Sequence, residues 1–246
     1  MRCKKNIDHD ECGFTLVEIA IVLVIIGLML GGILKGQEMI NSARARHLAD
    51  LTNDIPAAYF GFIDRFNTVP GDWGAGAATL ALGVTVDNGG GAGAEANNGR
   101  IDNPSGANAF IEPNALWEQL AKAGFIDGSY TGDPAPPTTN GNQTPLNAFN
   151  NVVILGRTAD YQDTGSPPVR LHLVLGRGIP VDIAREIDIK LDDGSPLTGT
   201  LRLAVNDGSS NIFGTLGSGD ATCLESATQE YNVAHDAQDC NVVYLY

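Results

Sequence analysis

Residues 13–34 read GFTLVEIAIVLVIIGLMLGGIL. One acid, Glu18, stands four residues after Phe14 in a run that is otherwise uncharged and almost wholly apolar. From Phe14 to Leu34 the run has 21 residues. At about 1.5 Å per residue, a helix of that length covers the roughly 30 Å hydrocarbon core of a bilayer. A secretory signal peptide fits poorly, because the apolar stretch exceeds an ordinary signal core and no small-x-small cleavage site follows it. The chain continues instead into KGQEMINSARARHLADLTNDI, which reads as further helix. A lone carboxylate in hydrocarbon is costly, so Glu18 needs a partner or a place at the headgroup level.

Beyond Lys35 the pattern changes. Leu48, Leu51, Ile55, Tyr59, Phe62 and Phe66 recur at spacings of three and four, which predicts an amphipathic helix facing a globular domain. Joined to the apolar run it makes one helix near 50 residues, about 80 Å long. Pro56 lacks an amide and crowds the preceding turn, so a kink is expected near residues 52–56. Gly27, Gly31 and Gly32 have two readings: close helix approach, or a weak point that unwinds. Thr15 either caps the first turn or simply tolerates the interface. Val69-Pro70-Gly71-Asp72 ends the element.

The chain has 246 residues, a net charge of −14 and a pI near 4.5. Such a surface disfavours nucleic acid and anionic lipid as default partners. Thirty glycines beside 43% hydrophobic residues suggest a folded domain with many loops. Of four cysteines, Cys3 and Cys12 precede the apolar run. If residues beyond Gly13 are exported, Cys223 and Cys240 are the natural disulfide, with two free buried thiols as the alternative.

Residues 83–108 form a long surface loop, GVTVDNGGGAGAEANNGRIDNPSGAN. Asp87, Asn88, Glu95, Asn97, Asn98 and Asp102 offer oxygens there, without the spacing of an EF-hand. A helix begins at Pro113, buries Leu116, Trp117, Leu120 and Ala121, and stops at Gly124. Val152–Arg157 and Val169–Leu175 read as strands, with His172 a surface or packed sheet histidine. Pro180 opens a helix to Leu191, with Gly194 as its C-cap. Leu201–Val205 and Asn241–Tyr246 complete the strands. No metalloprotease helix, nucleophile elbow, phosphate loop or dinucleotide fingerprint is present, so no enzyme is indicated.

The run from Gly13 to Gly32 resembles the amino-terminal signature of type IV prepilins and type II secretion pseudopilins. FNTVPGDW at 66–73, the helix at 115–132 and the segment 179–203 resemble parts of the same group. The resemblance implies an α+β pilin-like fold. A leader, 1–13, is cut between Gly13 and Phe14 by prepilin peptidase, and Phe14 is N-methylated. A long helix, 14–66, contains a membrane and filament-core part, 14–34. A head, 67–246, carries an antiparallel sheet and a disulfide loop, 223–240. Glu18 then pairs with the Phe14 amine of a neighbouring copy. Gly27, Gly31, Gly32 and Pro56 become points of helix flexibility. No cofactor is implied beyond structural calcium, for which Asp192 and Asp193, with Asp160 and Asp163 as companions, are candidates against a solvated acidic turn. Partners are copies of the chain in a helical homopolymer, the inner-membrane assembly platform and minor pilins. The chain passes from the inner membrane to an extracellular filament. A pilus subunit comes first; a pseudopilin, a minor pilin and a membrane-tethered domain that never polymerises are the alternatives.

Overall fold

The computed structural model describes residues 15–90, 97–101, 110–205 and 211–246. Gly13, Phe14, Cys3, Cys12, Glu95 and Asp102 lie outside them. The chain divides into two compact units, residues 1–42 and 43–246. The long helix α1, Leu16–Phe66, is continuous in secondary structure through Gly27, Gly31, Gly32 and Pro56. The helical assignment therefore spans the segment where a kink was expected. Pro56 leaves the Thr52 carbonyl without its helical donor. In that turn the Thr52 hydroxyl donates to the Ala49 carbonyl, 2.7 Å away.

Within the second unit, α1 buries Ala45, Leu48, Thr52, Ile55, Ala58, Tyr59 and Phe62. This is the predicted stripe, with Leu51 and Phe66 packed at its margin. It is followed by α2 (Ala75–Leu82), α3 (Ile111–Lys122), β1 (Ile154–Thr158), β2 (Arg170–Ile179) and α4 (Val181–Leu191). Then come β3 (Leu201–Leu203), α5 (Asn211–Leu216), β4 (Leu224–Glu225), β5 (Glu230–Tyr231) and β6 (Cys240–Leu245). The main sheet has the order β1-β2-β6-β3 and every pairing is antiparallel. The fold is α+β, as expected.

Alternation along the strands gives the sheet two apolar faces. Val153, Leu155, Leu173, Leu175 and Val242 join the cluster that holds the α1 stripe, Trp117 of α3 and Ile183 and Ile187 of α4. Ile154, Val174, Val243 and Leu245 join a second cluster with Phe110, Tyr161 and Phe213. His172 lies on this second side, fully buried, edge-to-face with Tyr161 at 5.4 Å. It is a packed sheet histidine.

Several boundaries differ from expectation. Strand β2 runs on to Ile179, because register shifts at Val174/Gly176 and Gly176/Ile179 let it bend without leaving β6. Gly194 is not the cap of α4. Asp192 occupies the C-cap and Gly194 lies two residues further on. Helices α2 and α5 were not foreseen, being short and built largely of small or weakly patterned residues.

The turn after α1 is pinned to α3 by one amide. Gln119, fully buried, accepts from Gly71 N–H at 2.9 Å and donates to the Trp73 carbonyl at 2.8 Å. Asp72, 1% exposed, accepts from Asn98 N–H at 3.1 Å and Gly99 N–H at 2.7 Å, tying the loop to the same turn. Gly71 has φ +92°, and a Cβ there would sit 2.4 Å from the Glu112 carbonyl oxygen. Close approach and left-handed backbone both demand glycine.

Gly71→Ala is expected to destabilise the head by at least about 2 kcal/mol, read from the urea midpoint. A second expectation concerns acid. Burial, with the Arg157 charge acting in the same direction, pushes His172 down to about 3. A histidine depressed below its unfolded value near 6.5 contributes fully above that pH and loses its contribution as pH falls toward the folded value. At pH 4.5 the loss amounts to about 2–3 kcal/mol. His172→Gln should therefore lose less stability than the parent between pH 7 and pH 4.5; parallel losses would contradict the assignment.

Candidate functional site

The first part of α1 is an apolar surface that the described residues leave open. Leu16 is 90% exposed and Leu28 74%, and Val17, Leu23, Val24, Met29 and Leu34 are likewise exposed. The helix is long and apolar enough to cross a bilayer, and none of its apolar stretch is buried. Among residues 16–34 Glu18 is the one charge.

Thr15 and Glu18 form a reciprocal cap at the start of this surface. The Glu18 N–H donates to Thr15 Oγ1 at 3.2 Å. In return Glu18 Oε2 accepts from the Thr15 N–H at 3.1 Å and from its hydroxyl at 3.2 Å. This is a capping box, which satisfies two of the amides that a helix N-terminus leaves open. A negative group in the first turn also complements the helix dipole. Both bonds fall on Oε2, and Oε1 accepts none among the described residues. The carboxylate is thus held in place with one oxygen still able to accept a donor. Of the two roles weighed for Thr15, the cap is the one observed.

Gly27, Gly31 and Gly32 are helical, and a Cβ built on any of them meets nothing within 4 Å. Nothing among the described residues requires their small size.

The late cysteines meet as expected. Cys223 and Cys240 form a disulfide with Cα atoms 5.8 Å apart, both residues buried. It ties the start of β6 to the turn before β4.

The acids proposed for calcium are only partly gathered. Asp192 and Asp193 come together with Asp188, their carboxylate oxygens within 4.8 Å of one another; Asp160 and Asp163 are not in that group. Asp163 pairs instead with Arg202, which holds its carboxyl below the usual range. Asp160 is buried beside β3, its carbonyl accepting from Val205 N–H at 3.0 Å. An all-oxygen trio suits calcium better than a transition metal. Each member already closes the turn after α4. Asp192 accepts from Leu201 N–H at 2.9 Å and from Thr200 N–H. Asp193 accepts from Ser195 N–H at 2.9 Å, and Asp188 from Gly194 N–H at 3.0 Å and the Tyr231 hydroxyl at 2.7 Å. Asp188 was missed from sequence because it falls on the buried face of α4, where an aspartate reads as a break in the pattern.

Glu118 is another buried acid that sequence reasoning passed over. It pairs with Lys122 one turn on, and accepts from Asp87 N–H at 2.7 Å and Gly132 N–H at 3.0 Å. The Glu-Lys spacing of four was the available signal.

Residues 8–34 match the family model of the prokaryotic N-terminal methylation motif, the signature of type IV prepilins and pseudopilins. No curated protein and no solved structure matches the chain.

Thr15→Ala removes one half of the capping box. In detergent-solubilised protein, amide exchange in the first turn of α1 is expected to accelerate about fivefold, the equivalent of about 1 kcal/mol. Unchanged exchange would show that the cap does not hold the helix start.

Proposed function

We propose that the chain is a structural subunit that polymerises through α1 into a type IV pilus filament. The observation that carries this reading is the bilayer-length apolar surface of α1 with a single capped carboxylate at its beginning. Such a surface has two stable environments, lipid and the apolar surfaces of like helices. The methylation motif supports leader removal by prepilin peptidase and a new amino terminus at Phe14. The mature chain waits in the inner membrane and is then passed by the assembly platform into an extracellular filament.

In the filament, packing of α1 surfaces supplies cohesion. At roughly 25 cal/mol per Å², 1,000 Å² of apolar surface gives about 25 kcal/mol gross, before ordering costs and the comparison with lipid. Gly27 and Gly31, one helical turn apart and free of any packing duty inside the chain, suit close approach of neighbouring helices. Glu18 meets the Phe14 amine of the next copy through the oxygen its own cap does not use. Removed from water, that pair sets the stagger between subunits more than their cohesion. The head presents its loops outward, and its net negative charge keeps filaments apart.

Glu18→Ala tests the reading. Breaking a buried pair costs about 3–5 kcal/mol, so incorporation should fall by about a hundredfold or more while membrane levels of the subunit stay at those of the parent. Mass analysis of parent filaments should find the subunit beginning at methylated Phe14 with the late disulfide formed. Filaments of normal abundance and stagger from the variant would refute the role of Glu18. A protein found only as a membrane monomer would favour a tether.

A further inference from the structure

Three asparagines of the chain precede a glycine: Asn88-Gly89, Asn98-Gly99 and Asn140-Gly141. Glycine carries no side chain to hinder its nitrogen as it approaches the asparagine side chain, so these pairs are the places where the backbone can cyclise. Closure needs a backbone free to turn, a glycine amide able to release its proton, and an asparagine side chain free to swing round.

The fold withholds these conditions from two of the three. Asn88 N–H donates to Glu118 Oε2 at 3.3 Å, and Gly90 N–H donates to the Gly71 carbonyl at 2.8 Å. Between those two bonds Gly89 is packed so closely that a Cβ on it would collide with the Trp73 carbonyl. At the second pair, Asn98 Oδ1 accepts from Arg100 N–H at 3.0 Å. Gly99 N–H donates to the carboxylate of Asp72, a buried residue, at 2.7 Å. That charge-assisted bond keeps the proton on the nitrogen that would have to attack.

Asn140 is different. Thr138, Thr139 and Asn140 are all exposed. The Asn140 side chain makes no hydrogen bond among the described residues. The one restraint is a neutral bond across the turn, from Gly141 N–H to the Thr138 carbonyl at 3.0 Å. The base of the loop is fastened separately: Thr131 N–H donates to the Asn142 carbonyl and Val153 N–H to the Pro145 carbonyl, each at 2.9 Å. The tip can therefore open while its anchors stay in place.

We propose that Asn140 is a site of spontaneous deamidation. Solvent base takes the Gly141 N–H proton and the nitrogen attacks Cγ of Asn140. The Cγ–Nδ2 bond breaks, and ammonia leaves with a proton drawn from water. A second water opens the cyclic imide at either carbonyl, which gives aspartate or isoaspartate at position 140. Each event adds one negative charge at the loop tip, and the isoaspartate product lengthens the backbone there by one atom.

Peptide mass mapping of the full chain, kept folded in detergent in warm, mildly alkaline buffer, tests this. A mass increase of about 1 Da should arise first in the peptide that holds Asn140. It should form at least about tenfold faster than at Asn88 or Asn98. Isoaspartyl methyltransferase should label the same peptide. In urea the three rates should come within about threefold of one another, because the protection belongs to the fold. Isoelectric focusing should show a new acidic band that Asn140→Gln lacks, an exposed change that breaks no bond of the fold. Conversion at Asn88 or Asn98 as fast as at Asn140 in the folded chain would overturn the proposal. So would no conversion at Asn140, an acidic band that persists in Asn140→Gln, or a rate difference that survives in urea.

Discussion

Water cannot be left against twenty residues of contiguous aliphatic surface. Every other feature of α1 answers to that constraint. Between Leu16 and Leu34 the aliphatic side chains are exposed, and the helix is long and apolar enough to cross a membrane. The single polar group in that span sits in the first turn, where a carboxylate has amides to accept from and a dipole to oppose. Placed two turns later, the same acid would stand among aliphatic side chains, away from the open amides of the helix start. Position, more than identity, makes Glu18 tolerable.

The same helix solves a second problem further on. Its apolar residues narrow from the whole circumference to one stripe at Ala45, and from there the helix is an ordinary core element under a four-stranded sheet. The head is then fastened to the helix end by polar contacts as well as by the rings of Phe62, Phe66, Trp73 and Phe125, which pack together there. The Gln119 amide, the Asp72 carboxylate and the glycine between them set the direction of the chain as it leaves α1. Acids recur in this role: buried Asp72, Glu118 and Asp188 and half-buried Asp192 each accept from backbone amides of loops. A protein with so many glycine-rich connections has many amides to satisfy, and carboxylates are strong acceptors for them.

Much of this was readable from sequence. Periodicity located α1, its stripe, α3 and α4, and alternation located β1, β2 and β6, because those signals are long and regular. The Thr15 cap was one of two open readings at the start of α1, and the return bond from Glu18, fixed by the geometry of a helix start, was not read from the sequence. Other features were not readable either. Gly176 and Gly178 read as the end of a strand, yet they are where β2 bends and continues. Asp188 and Glu118 drew no reading from sequence, since their partners include amides from distant loops that no local pattern announces. Asp160 and Asp163 were grouped with Asp192 through the family resemblance, and only the folded chain shows Asp163 committed to Arg202.

Strand β6 is interior to the sheet, with β2 on one side and β3 on the other. Residues 240–245 are therefore the keystone of a sheet whose other strands emerge earlier. Until they arrive, β2 and β3 each present an unsatisfied edge and both apolar layers stay half built. A chain delivered across a membrane from its amino end would hold this open intermediate from the emergence of β2 until the end of its transit, at risk of pairing with another such edge. Cys240 stands at the first residue of the closing strand, so oxidation to Cys223 would latch the sheet just after its last piece slides in.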